Sequence, residues 1–148
     1  MNPAKMIMAR GPRGLPPARA IDFPRLVLPA TPNAHLVAPP GATAQAHEAA
    51  PLLPCNLDEA WQALRQLGES FPRSWKLGEW PELRQVQWVA RTAICNFPDL
   101  VNAQVVDLPG GAGLWLYSRS LIGYSDLGVN RRRAAAWRAR LEAAFRTA

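Results

Sequence analysis

Apolar residues recur at helical spacing twice along this chain and at alternate positions three times. Leu57, Ala60, Trp61, Leu64 and Leu67 fall on one stripe of a helix. Asn56-Leu-Asp-Glu59 has the form of a capping box, with Asn56 as N-cap, Glu59 reaching back to it, and Asp58 and Glu59 suited to the positive helix start. Gly68 is the expected stop. Val86-Gln-Trp-Val-Ala-Arg-Thr92 alternates, placing Val86, Trp88 and Ala90 on one face of a strand that runs on towards Ile94. Phe97-Pro-Asp99 is a turn signal. Leu100 to Leu108 alternates again, with Val101, Ala103 and Val105 opposed to Asn102 and Gln104. Pro109-Gly-Gly-Ala-Gly113 predicts a hairpin loop, and Leu114 to Ser120 a returning strand. Ala134, Trp137, Leu141 and Phe145 form the stripe of a last helix starting at Arg131, with Asn130 as N-cap. This order predicts an α+β two-layer domain: a small antiparallel sheet of three to four strands with two helices on one face.

Residues 1–54 interrupt this patterning, because they hold eleven of the fifteen prolines. Proline removes an amide donor and fixes φ, so neither a long helix nor a central strand is expected there. The prediction is a proline-rich extended arm in front of the domain. Residues 1–20 read as a mobile basic terminus and residues 21–54 as a docked arm, anchored through Phe23, Leu26, Val27, Leu28, Leu36 and Val37. Residues 55–148 form the α+β domain, and residues 71–85, with Pro72, Trp75, Trp80 and Pro81, read as a loop with a short extended stretch.

Length and composition fit one globular domain: 148 residues, 49% hydrophobic, with six tryptophans as large core anchors. The formal charge of +6 favours anionic partners in general. Its distribution argues against nucleic acid, since the positive charge gathers at the two ends as solvated surface: Lys5, Arg10, Arg13 and Arg19 at one, and Arg131, Arg132, Arg133, Arg138, Arg140 and Arg146 at the other. Cys55 and Cys95 lack CxxC spacing and read as free thiols in buried surroundings, a disulfide between them not being indicated. His35, His47, Cys55 and Cys95 match no zinc spacing, so neither a metal nor another cofactor is expected. The chain has no apolar run long enough to span a bilayer, and Met6-Ile-Met-Ala9 is too short for the core of a signal peptide.

The chemistry is concentrated in Tyr117 to Arg133. Ser118, Arg119, Ser120, Ser125, Asp126, Asn130, Arg131 and Arg133 gather there around Gly123 and Gly128, between the last strand and the last helix. Three arginines at a helix N-terminus oppose its dipole, each at roughly 0.3–1 kcal/mol, so compensation is expected. A bound anion held by the free N–H groups of the helix start and the forks of Arg131 to Arg133, with Arg119 converging from the strand end, is one source. Internal pairing is the other, with Asp99 or Asp126 accepting one arginine. The serines lack a neighbouring histidine base and a GxSxG elbow, so local capping is the simpler role for them. Asp126 between Gly123 and Gly128 predicts a rigid Asx-type connection.

From Asp22 onward the chain resembles the bacterial and plant family named domain of unknown function 1499. The resemblance rests on Asp22-Phe23 with Thr31-Pro-Asn-Ala-His-Leu-Val-Ala-Pro39, on Val89-Ala-Arg-Thr92 with Phe97-Pro-Asp99, on Tyr117-Ser-Arg-Ser120, and on Gly123-Tyr-Ser-Asp-Leu-Gly-Val-Asn-Arg-Arg-Arg133. The family usually has an arginine where this chain has Leu121, so a double-arginine signature is incomplete. The resemblance implies an α+β domain without an established reaction. It also implies a hydrophobic anchor or export signal upstream of the arm in many relatives. Either the true start lies further upstream here and the protein is envelope-associated, or this member is soluble and cytoplasmic.

Three functions remain in view. The leading expectation is a non-enzymatic binding or accessory domain, taking an anionic small molecule or a protein partner's carboxylate at the strand-to-helix motif. An enzyme using Asp126 as base and Arg119 as anion clamp requires a concave pocket and a shifted carboxylate. A membrane-surface protein requires basic residues on one face together with exposed tryptophans.

Overall fold

The computed structural model describes residues 2–146; Met1, Thr147 and Ala148, the outermost residues of the expected 1–20 and 55–148 spans, lie outside them. One six-stranded mixed sheet organises the chain, in the order β2-β1-β6-β5-β4-β3. The strands are β1 (Ala34–Ala38), β2 (Glu48–Ala49), β3 (Ser74–Trp80), β4 (Gln85–Arg91), β5 (Pro98–Leu108) and β6 (Gly111–Ser120). All neighbours are antiparallel except β1 and β2, which are parallel. Three α-helices accompany them: α1 (Pro3–Met8), α2 (Leu57–Arg65) and α3 (Val129–Ala143).

This corrects the expectation of a small three- to four-stranded antiparallel sheet with two helices. The prolines that read as breakers in fact bound strands. Pro32 and Pro39 flank Ala34–Ala38, whose proline-free interior pairs along β6 with Val37 opposite Leu116. Pro72 and Pro81 flank β3 in the same way, and the pairing of β3 shifts register between Lys76 and Gly78. β3 has no fully buried residue, as an edge strand can.

The sheet buries both faces. Val86, Trp88, Ala90, Val101, Ala103, Val105, Leu114 and Leu116 pack against Ala60, Trp61 and Leu64 of α2 and Ala134, Trp137 and Leu141 of α3. Trp137 stacks on Phe71 at 4.8 Å and meets the edge of Trp88 at 5.2 Å. On the other face Leu36, Ala38, Trp115 and Tyr117 are covered by the arm, with Phe23 stacked on Trp115 at 5.4 Å. Each such large side chain contributes roughly 1.5–3 kcal/mol when fully buried.

The first span, expected to be mobile, lies against the second face from Met6 to Arg19. The Arg91 side chain donates to the carbonyls of Met6 (2.7 Å), Gly11 (2.8 Å), Arg13 (2.9 Å) and Asn96 (3.1 Å). Asn96 Nδ2 donates to the carbonyls of Ile7 and Ala9. Further along, Gln85 exchanges hydrogen bonds with the Ile21 backbone, and Asn102 donates to the Arg19 carbonyl. Buried amide side chains on a strand need partners, and here the proline-rich backbone supplies them.

Two local readings change. The capping box of α2 forms as expected, with Glu59 N donating to Asn56 Oδ1 at 2.8 Å and Asn56 N to Glu59 Oε1 at 3.2 Å. Gly68, however, is not the helix stop: α2 ends at Arg65, and Gly68 lies in a following 3-10 turn where a Cβ would come within 2.3 Å of Trp88 Nε1. Gly128, at φ 83°, and not Asn130, is the N-cap of α3.

Candidate functional site

Alternation along β6 divides the motif. Ser118 and Ser120 point to the α3 side, and Arg119 to the arm side, where it borders Pro16, Pro17, Ile21 and Leu100. Arg119 therefore does not converge with Arg131 and Arg133. The expected three-arginine anion site is not assembled.

The network centres on Asn130. Its side chain is fully buried because it sits in the first turn of α3, on the stripe continued by Ala134, Trp137 and Leu141. Ser118 Oγ donates to Asn130 Oδ1 at 2.6 Å, and Arg133 Nη1 donates to the same oxygen at 2.9 Å. Asn130 Nδ2 faces three acceptors: Asp126 Oδ2 at 2.7 Å, Ser120 Oγ at 2.8 Å and the Asn33 carbonyl at 3.1 Å. Asn33 Nδ2 in turn donates to the Gly123 carbonyl at 2.8 Å. Segments 33, 118–120, 123–126 and 130–133 are thus fastened by one asparagine side chain and its neighbours.

The charges close on themselves. Arg133 Nη1 lies 2.8 Å from Asp99 Oδ2, both side chains nearly buried. This is the internal pairing expected as one of the two sources of compensation. Burial pushes the Asp99 carboxyl above its ordinary range; Arg133 and Ser120 oppose that shift without cancelling it. Burial also raises Asp126, but hydrogen bonds from the Asn130 side chain and from the Gly128 and Asn130 amides outweigh it, leaving the group below its ordinary range. Asp126 Oδ1 accepts from Gly128 N at 2.7 Å, the Asx-type turn expected between Gly123 (φ 95°) and Gly128. Arg131, Arg132 and Ser125 remain exposed. Arg132 donates to the Leu127 carbonyl, and Ser125 Oγ accepts weakly from Leu127 N at 3.4 Å.

Beside this network opens a cleft of ≈ 570 Å³. One wall is the β4–β5 turn, Thr92 to Phe97; the other is the β6–α3 loop, Ile122 to Val129. Ile94, Phe97, Ile122 and Leu127 make it apolar, and Asp99, Ser120 and Asp126 lie along its floor. Sequence reasoning missed these apolar residues. Their signal is faint: lone large side chains inside turns, Ile94 between Ala93 and Cys95 and Leu127 between Asp126 and Gly128.

The remaining candidates are placed as follows. Trp115 is core, Trp80 is half-buried and only Trp75 reaches the surface, so no joint tryptophan patch forms. Cys55 and Cys95 are free; Cys55 is half-buried and Cys95 is exposed, against the expectation of two buried thiols. His35 stacks on His47 at 4.9 Å, and its Nε2 lies 3.4 Å from Glu48 Oε1 without hydrogen-bond geometry. Among the described residues no cluster of three or more His, Cys, Asp or Glu is placed to hold a metal, and no helix is long and apolar enough to cross a membrane.

Fold and site together describe a mixed α/β domain in which a buried polar network walls an apolar cleft. Residues 27–141 match the family described as Protein of unknown function (DUF1499), and the chain belongs to it. That span contains the whole network, from Asn33 to Arg133, and both walls of the cleft. No curated protein and no solved structure matches the chain.

Proposed function

We propose that the protein is a binding module whose ligand occupies the cleft between the β4–β5 turn and the β6–α3 loop. The observation that carries this reading is an apolar cleft of ≈ 570 Å³ beside a buried, internally satisfied network. Its size is in the range of small-molecule sites, which are mainly apolar with a few fixed polar groups. A ligand with an apolar body fits, and the floor favours a donor or cationic head. Asp99 and Asp126 together outweigh the single Arg133, so an anion would meet net negative charge there.

This revises the ligand chemistry expected from the sequence. Arg131 and Arg132 lie outside the cleft, and Arg119 lies across the sheet. An enzyme built on Asp126 and Arg119 has little support: both Asp126 oxygens are engaged in the turn and the two residues occupy opposite sides of the sheet.

The test is titration with the neutral fluorophore N-phenyl-1-naphthylamine, followed by displacement with dodecylamine and dodecanoate. Binding is expected, with dodecylamine the better competitor. Ala93→Trp, at an exposed position lining the cleft, should weaken binding by about tenfold or more. Absence of binding, or equal binding by Ala93→Trp, would sink the reading.

A further inference from the structure

The end of the molecule where β4 and β6 finish and β5 and α3 begin exposes two aliphatic tips. Ile94 in the β4–β5 turn is 96% exposed, and Leu127 in the β6–α3 loop is 85% exposed. Phe97 and Tyr124 stand beside them in the same two connections and are also exposed. Single exposed apolar side chains are ordinary; two aliphatic and two aromatic side chains in two adjacent loops form a patch. Leu127 is moreover held at φ 54°, a left-handed conformation unfavourable for a bulky side chain. The Asp126 turn and the Arg132 bond to the Leu127 carbonyl fix it there, side chain outward.

Positive charge gathers at the same end. Arg131 and Arg132 lie exposed at the start of α3. Arg10 and Arg13 lie exposed in the arm segment whose carbonyls hold Arg91, and Arg73 lies exposed beside the end of β4, its Nε donating to the Arg91 carbonyl. The carboxylates of this end, Asp99 and Asp126, are turned inward onto Arg133 and Asn130. The opposite end carries exposed Asp58 and Glu59 at the start of α2, Glu82 in the β3–β4 connection and Asp107 near the β5–β6 turn, against one arginine, Arg84, which pairs with Asp58 at 3.4 Å. The molecule is therefore electrically polarised along the sheet, with its apolar tips at the positive end.

We propose that this end docks on an anionic lipid bilayer, Ile94 and Leu127 entering the interface and the arginines meeting the headgroups. Apolar insertion and attraction to anionic lipid add in such contacts. Each arginine near the surface is worth about fivefold in affinity, screened by salt. Each aliphatic tip taken out of water adds roughly tenfold or more. Docking shares Ile94 and Leu127 with the walls of the cleft.

The test is co-sedimentation of the full chain with vesicles of phosphatidylcholine, alone or with about one-third phosphatidylglycerol. Binding is expected only to the anionic vesicles, and it should fall as salt is raised. Ile94→Asp/Leu127→Asp should keep the wild-type melting temperature, because both side chains are already in water, yet bind at least about tenfold more weakly. Arg131→Glu/Arg132→Glu should also lose binding, whereas Glu82→Lys, which adds positive charge at the far end, should change it little. No binding by the wild type, equal binding by the double aspartate variant, or binding indifferent to anionic lipid overturns the proposal; the first result would point instead to a protein partner. N-phenyl-1-naphthylamine binding without vesicles reads the cleft alone, so the two readings fail separately.

Discussion

Asn130→Ala should be among the most damaging single substitutions in the chain. The side chain is fully buried and contacts five groups. Truncation leaves the Ser118 hydroxyl, itself fully buried, without its acceptor, at about 1–3 kcal/mol. The charge-assisted bonds to Asp126 and from Arg133 are worth about 1.5 kcal/mol each. Asn33 O loses less, because it still accepts from Ser120 N at 2.9 Å. The sum is about 4–6 kcal/mol, a large share of the roughly 5–15 kcal/mol typical of a domain. At about 2–4 °C per kcal/mol the melting temperature should drop by roughly 8–24 °C. Urea unfolding measures the loss directly, provided the m-value is unchanged. Asn130→Asp should be no better, since it replaces the donor facing Asp126 by a second negative charge. Exposed Arg131→Ala should stay within about 0.5 kcal/mol. A loss below about 1 kcal/mol for Asn130→Ala would refute the view that this network holds the loop and the helix together.

Other predictions follow from the same contacts. Arg91→Met leaves four carbonyls unpaired and should release the arm, seen as faster tryptic cleavage after Arg10 and Arg13; unchanged cleavage would deny Arg91 that role. Gly68→Ala drives a Cβ into buried Trp88 and should cost about 1–3 kcal/mol by urea unfolding, whereas a neutral result would place the turn elsewhere. Asp126 has a lowered folded-state pKa, so its stabilisation is present above the ordinary aspartate pKa near 3.9 and is lost as pH falls through the folded value. Asp126→Asn should flatten that acid limb, and an unchanged limb would exclude Asp126 as its origin. His35 is lowered mainly by burial, with Glu48 opposing; its stabilisation is full above about pH 6.5 and lost as pH falls through the folded value, so His35→Gln should reduce the slope just below neutrality.

What was legible in the sequence was local. The capping box of α2 needs only residues 56 to 59, and the alternation of β4, β5 and β6 needs only neighbours. β1 was obscured because its prolines lie just outside the strand, while its partner is the far-off β6. Asn130 was read as the N-cap of α3 but lies inside its first turn, and its role depends on Asn33, which is 97 positions away and brought near by β1. Arg119 was assigned to the motif by proximity in sequence, and strand alternation sends it to the opposite side of the sheet. The cleft was invisible because its apolar walls come from two separate turns, neither periodic.

The most direct test of the account is to map dodecylamine onto the isotope-labelled protein by backbone amide shifts. The account predicts perturbations confined to the Thr92–Phe97 turn, the Ile122–Val129 loop and the adjoining amides of Asp99 and Ser120. Perturbations confined to the arm-covered side of the sheet, or none at saturating ligand, would contradict it.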